Sequence, residues 1–120
     1  AVIHLSNSTE EMGCFRVIPG SHKHGPLDNS DGHNYNPEIH SQYKLDEAHP
    51  VIANPGDVLF FHCCSLHGSM ANTSLDPRKT ILVQLYSGKD KIIKGNTHTN
   101  AQLVLRGFNY YSTRKSVDVS

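Results

Sequence analysis

Apolar and β-branched residues fall in short runs separated by turn formers, and five of these runs have the length and alternation of β-strands. They are Val2 to Leu5, Cys14 to Ile18, Val51 to Ala53, Val58 to His62 and Thr80 to Tyr86. Between them stand Pro19-Gly20-Ser21, Asn54-Pro55-Gly56-Asp57 and Asn72-Thr73-Ser74-Leu75-Asp76-Pro77, whose residues set turn dihedrals or bond their own backbone. No stretch sustains an apolar period of roughly 3.6 residues over three turns, although Pro37 to Ala48 has room for a short helix. The pattern predicts an all-β fold.

From Gly25 to Tyr43 the chain is polar and nearly without residues to bury, which predicts a long surface loop of the kind used as a lid or binding loop. Beyond Gly88 the pattern weakens, and Leu103-Val104-Leu105 before Arg106-Gly107-Phe108 predicts a last strand or a docked tail. Residues 1–88 are therefore expected to hold the β core and the loop, and 89–120 the terminal strand or tail, of a single domain. A chain of 120 residues can bury roughly two-thirds of its unfolded surface, so a core needs no covalent staple. The opening Ala1-Val2-Ile3-His4-Leu5 has no polar lead-in and reads as a strand already under way, so further sequence upstream is expected.

Lysine and arginine number 11, as do aspartate and glutamate, and this balance gives no field to draw the chain to nucleic acid or an anionic membrane. The longest clean apolar run, Val58-Leu59-Phe60-Phe61, falls far short of the roughly 20 residues of a membrane span. A soluble, cytoplasmic chain is expected. Its cysteines, Cys14, Cys63 and Cys64, are odd in number and include an adjacent pair, which predicts reduced, buried thiols rather than disulfides.

Nine histidines raise the question of metal. His33, His40, His49 and His98 lie in polar segments and are expected to be solvated, while His4 alternates with apolar neighbours as a satisfied strand histidine does. His22 and His24 could chelate from an extended segment, but Pro19-Gly20 before them and Gly25-Pro26 after them favour a tight turn. The run His62-Cys63-Cys64-Ser65-Leu66-His67 matches none of the usual paired-ligand zinc spacings. His67 and Ser69, two apart, share a face if locally extended, and the turn from Ala71 to Pro77 can return Arg78 beside Ser69. An imidazole for a metal, a guanidinium for a carboxylate and a supporting hydroxyl would then meet in one pocket, with an ordinary surface arginine as the alternative reading.

Two ordered blocks carry a resemblance. Gly13-Cys14-Phe15-Arg16-Val17-Ile18-Pro19-Gly20-Ser21-His22-Lys23-His24-Gly25 is one, and the other runs from Asn54-Pro55-Gly56-Asp57 through Leu66-His67-Gly68-Ser69 and Asn72-Thr73-Ser74 to Pro77-Arg78. Together they resemble the C-terminal part of the phytanoyl-CoA dioxygenase-like family of iron(II)- and 2-oxoglutarate-dependent oxygenases, over roughly the first 90 residues.

The resemblance implies a double-stranded β-helix, the jelly roll of cupin-like proteins, here in part. It also implies a two-histidine, one-carboxylate iron site with 2-oxoglutarate and O2 as co-substrates. His67 matches the distal iron-binding histidine, Arg78 the arginine that pairs with the distal carboxylate of 2-oxoglutarate, and Ser69 the hydroxyl that supports it. No general acid or base is assigned. The family's His-x-Asp ligand pair precedes the glycine-led strand, and the 12 residues before Gly13 contain no such motif, His4-Leu5-Ser6 being the nearest look-alike. The implied activity is hydroxylation of an unactivated carbon of a small-molecule or lipid-derived substrate. A non-catalytic β-sandwich binding module, a fragment inactive without its N-terminal half, or a zinc protein are the alternatives.

Overall fold

The computed structural model describes residues 1–27, 36–90, 92–93, 104–108 and 116–117. These fall in two compact units, Ala1–Val83 and Gln84–Ser120. The first unit holds six short strands: β1 (Val2–His4), β2 (Phe15–Val17), β3 (His49–Val51), β4 (Val58–Leu59), β5 (His67–Ser69) and β6 (Thr80–Leu82). They form two antiparallel sheets, ordered β4-β1-β6 and β3-β2-β5. The chain passes from one sheet to the other after β1, β3, β4 and β5. This winding between two antiparallel sheets is part of an all-β, cupin-like jelly roll.

Each turn signal in the sequence closes a connection. At Asn54-Pro55-Gly56-Asp57, Asp57 Oδ2 accepts from the Asn54 amide at 2.7 Å, and Gly56 takes φ 94°, the left-handed region that glycine enters without penalty. The Gly56 amide then donates to the His4 carbonyl at 2.8 Å, locking the turn onto β1. Pro50 is tolerated because β3 is an edge strand, where no ladder bond is lost on the open side.

The buried apolar residues among those described are Val2, Cys14, Phe15, Ala48 and Ala53, drawn from β1, β2 and the segments around β3. Arg16, on the central strand β2, ties this region together by donating to the carbonyls of Asp46 at 3.1 Å and Ala48 at 3.0 Å and pairing with Glu10 at 2.6 Å.

Several expectations need correction. The short helix for which Pro37 to Ala48 has room forms as α1 (Pro37–Gln42) and takes residues 37–42 out of the expected loop, because the Asn36 side chain accepts from the Glu38 and Ile39 amides and Pro37 fits the first turn. Of that loop, residues 28–35 lie outside the described residues. The third strand is His49–Val51 rather than Val51 to Ala53, since Val51 aligns with Phe15 while Ala53 makes a lone bridge to Ser8. His4 is fully buried, but neither ring nitrogen has a hydrogen-bond partner, so it is not the satisfied histidine expected. Cys63 is exposed and Cys64 half-buried; of the three free thiols only Cys14 is buried.

In the second unit, β7 (Ile92–Ile93) and β8 (Ser116–Val117) pair in parallel. Val104 and Leu105, expected in a strand or tail, are exposed and in no strand, and Leu103 lies outside the described residues, as do His33 and His98. Among the described residues no helix is long and apolar enough to cross a membrane.

Candidate active site

The site is built on β5, an edge strand whose sequence His67-Gly68-Ser69 has little strand character of its own. Pairing with β2 makes it a strand: His67 stands opposite Val17, Gly68 opposite Arg16 and Ser69 opposite Phe15. The ladder is extended where the Ile18 amide donates to the Leu66 carbonyl at 3.0 Å. Ser21 then fixes the entry to β5. Its buried hydroxyl donates to the Ile18 carbonyl at 2.7 Å and accepts from the Leu66 amide at 2.9 Å. The Pro19-Gly20-Ser21 turn thus positions His67 from the neighbouring strand, a role for Ser21 that sequence reasoning missed although the serine sits in a recognised motif.

His67 and Ser69 lie two apart on β5, and Gly68 between them faces Leu45. His67 is exposed, but its ring packs against two aromatic neighbours. It stacks on Phe15 with ring centroids 5.0 Å apart and planes 18° apart, and it meets Phe61 at 4.8 Å. His67 Nδ1 lies 2.8 Å from the Ser65 carbonyl, which can only accept, so Nδ1 carries the proton and Nε2 keeps a bare lone pair. That is the tautomer of a metal-ligating imidazole with its second nitrogen anchored to a backbone acceptor.

The segment from β5 to β6 brings Arg78 back. Asn72 Oδ1 accepts from the Ser74 amide at 2.9 Å and the Ser74 hydroxyl at 2.7 Å, and Asn72 Nδ2 donates to the Asp76 carbonyl at 2.8 Å. Thr73 pins the turn to the first unit's opening segment by donating from its amide to the Glu11 carbonyl at 2.9 Å. At the far end the Lys79 amide donates to the Ser6 hydroxyl at 2.9 Å. Between these anchors half-buried Arg78 donates to Ser69 Oγ at 3.2 Å, tying β5 to the segment that leads into β6.

His22 and His24 sit in a 3-10 turn, Ser21–His24, and both are exposed. Their placement is the tight turn favoured by the flanking residues. Among the described residues His67 belongs to no cluster of three ligand-bearing side chains; the one such cluster is His62, Cys63 and Cys64. Partial burial, then the hydrogen bond and charge of Cys63, hold the Cys64 thiol above its ordinary value.

The family model described as phytanoyl-CoA dioxygenase matches residues 1–80, which include β1 to β5, the first residue of β6, and His67, Ser69 and Arg78. Among curated relatives, dioxygenase cdmD of Talaromyces verruculosus is 28% identical over 107 residues, covering 86% of this chain and 30% of the relative. The peroxisomal phytanoyl-CoA dioxygenase of Rattus norvegicus is 33% identical over 97 residues, covering 73% and 28% respectively. A probable phytanoyl-CoA dioxygenase of Caenorhabditis elegans is 36% identical over 87 residues, 64% of this chain and 27% of that protein. The chain thus spans about 30% of the length of the curated relatives it matches. No solved structure matches it. With the family model matching residues 1–80, two-thirds of the chain, on a jelly-roll topology, this protein belongs to the phytanoyl-CoA dioxygenase family.

Proposed function

We propose that the chain supplies the co-substrate side of an iron(II)- and 2-oxoglutarate-dependent dioxygenase that hydroxylates an unactivated carbon of a small-molecule or lipid-derived substrate. The observation that carries this reading is the Arg78–Ser69 hydrogen bond on the strand of an imidazole whose Nε2 is left bare. The residues present fit iron(II) at one position, His67 Nε2, and the remaining protein ligands come from outside the described residues around it. Iron, when bound, supplies oxygen activation that no side chain offers.

The chain's own residues bind and orient the co-substrate. Arg78 presents a planar fork that grips the distal carboxylate of 2-oxoglutarate through two hydrogen bonds. Ser69 Oγ accepts from Arg78, so its own O–H is free to donate to the same carboxylate, and the two act as one relay. Phe15, stacked on one face of the His67 ring, and Phe61, tilted beside both, form a three-ring cluster that orients the imidazole. The three free thiols fit a reducing compartment such as the cytoplasm, in which we place the protein.

The test is a turnover assay on the full-length gene product with iron(II) and 2-oxoglutarate. Succinate formation is expected, lost together with iron binding in His67→Ala. A His67→Ala protein that still binds iron and releases succinate at the wild-type rate would remove the basis of this reading.

A further inference from the structure

A second cluster lies on the segment between β4 and β5, outside the His67 site. The chain turns tightly at His62–Ser65, where the Ser65 amide donates to the His62 carbonyl at 2.9 Å. The turn gathers three side chains whose ligand atoms all lie within 4.8 Å of one another: His62 Nδ1, Cys63 Sγ and Cys64 Sγ. Cys63 Sγ is 3.9 Å from Cys64 Sγ and 3.9 Å from His62 Nδ1. In a tetrahedral zinc site, Zn–S bonds of about 2.3 Å and Zn–N bonds of about 2.0 Å put neighbouring sulfurs about 3.8 Å apart and sulfur and nitrogen about 3.5 Å apart. The two distances from Cys63 are therefore within about 0.4 Å of those of such a tetrahedron, and the third lies within 4.8 Å.

His62 Nδ1 accepts from the Cys64 amide at 3.1 Å, so that nitrogen is unprotonated, and its lone pair would exchange this hydrogen bond for a bond to the ion. The two sulfurs, at 3.9 Å, are far beyond the roughly 2.05 Å of a disulfide bond, and both are free thiols. A fourth donor stands nearby. The His22 ring lies 5.6 Å from the His62 ring, centroid to centroid, and both histidines line one cavity of about 270 Å³ walled by apolar residues including Ile18, Leu59 and Phe61.

We propose that His62, Cys63 and Cys64, completed by His22, form a binding site for a thiophilic cation, with Zn2+ as the ion that fits its two sulfurs and two nitrogens. Thiolate and imidazole together select borderline and soft ions over the harder iron(II) assigned to the His67 position. The adjacent-cysteine spacing falls outside the usual paired-ligand patterns because the tight turn, not an intervening loop, brings the sulfurs together. The inference is independent of the oxygenase reading.

Co2+ serves as the spectroscopic probe, on the reduced, metal-free full-length gene product. The expected result is a sulfur-to-cobalt absorption in the near ultraviolet with tetrahedral visible bands, both removed by Zn2+. Cys63→Ser and Cys64→Ser should each weaken the ultraviolet band, the double variant should abolish it, and His62→Ala should lower cobalt affinity at least roughly tenfold. His67→Ala should leave the band unchanged. In the wild-type protein, Zn2+ should also shield Cys63 and Cys64 from alkylation, a readout that needs no variant. Absence of a thiolate band in the wild-type protein, its persistence in the double variant, or thiols alkylated equally with and without Zn2+ would overturn the proposal.

Discussion

Arg78 is a residue whose charge and shape contribute separately. Its guanidinium is half-buried and bonded to Ser69, and among the described residues it forms no ion pair with a carboxylate, the arrangement expected of a group held ready for an anionic ligand. Arg78→Leu should raise the 2-oxoglutarate requirement of the full-length enzyme at least roughly 30-fold, since losing a charge-assisted bidentate contact costs on the order of 2–5 kcal/mol. Iron binding should be nearly unaffected. Arg78→Lys should recover only part of the loss, because an ammonium keeps the charge but not the fork; steady-state assays varying 2-oxoglutarate alongside a metal titration separate the two effects. Gly13 acts on the same site through its backbone. It sits at φ 66°, and a Cβ there would collide with the Met70 carbonyl and press on Ala71 and Asn72, which begin the path from Ser69 to Arg78. Gly13→Ala should cost about 2 kcal/mol or more and weaken 2-oxoglutarate binding as well, while Gly20→Ala, at φ 81° in open space, should cost only about 1 kcal/mol. Equal denaturation midpoints for the two variants would refute this ordering. The approach of Arg78 to Ser69 was legible because Asn72, Ser74 and Pro77 announce a chain reversal in their side chains. The exposure of Cys63 was not, since composition says nothing of which face a turn presents.

Among the elements, β2 organises the site, carrying β5 on one side and β3 on the other. Arg16 at its centre illustrates which of its contacts matters. The ion pair to Glu10 is short, but Glu10 is 58% exposed while the Arg16 side chain is only 13% exposed, so solvent screens the pair and its net worth is small. The bond to the Ala48 carbonyl is different, because Ala48 is buried and its carbonyl would lose a charged donor, while the bond to Asp46 is exposed. Arg16→Met should therefore destabilise the protein by about 2–3 kcal/mol, and Glu10→Gln by less than about 1 kcal/mol. Denaturant titrations at constant slope measure both, and a larger effect at Glu10 would show that the ion pair dominates. The strands β1, β2, β4 and β6 were visible in the sequence, though longer than the structure makes them, because alternation marks what can extend and not what finds a partner. β5 escaped notice as a strand because histidine, glycine and serine carry no β preference; it is extended only by pairing with β2. The pair β7 and β8 joins residues distant in sequence, a parallel match that local pattern does not encode.

Across the whole molecule the limiting quantity is the number of ligands in reach of one metal ion. His67 offers a single prepared nitrogen, and one imidazole cannot supply the three protein ligands of the iron site that the family resemblance implies. Affinity for iron(II) should then depend on residues beyond those described here, and the 120-residue chain by itself should bind the ion weakly and form no succinate. The comparison must be made with Cys63→Ser and Cys64→Ser in both proteins, so that the thiolate cluster does not take the metal instead. Under anaerobic titration the full-length gene product should saturate with iron(II) at concentrations where the 120-residue chain shows no endpoint, and on the proposed reading, in which the metal and Arg78 both hold 2-oxoglutarate, the co-substrate should bind tightly only to the former. The opposite result is equally readable. Stoichiometric, His67-dependent iron binding by the 120-residue chain, accompanied by succinate, would mean that the remaining ligands lie within it and that the site is assembled from residues on this chain alone.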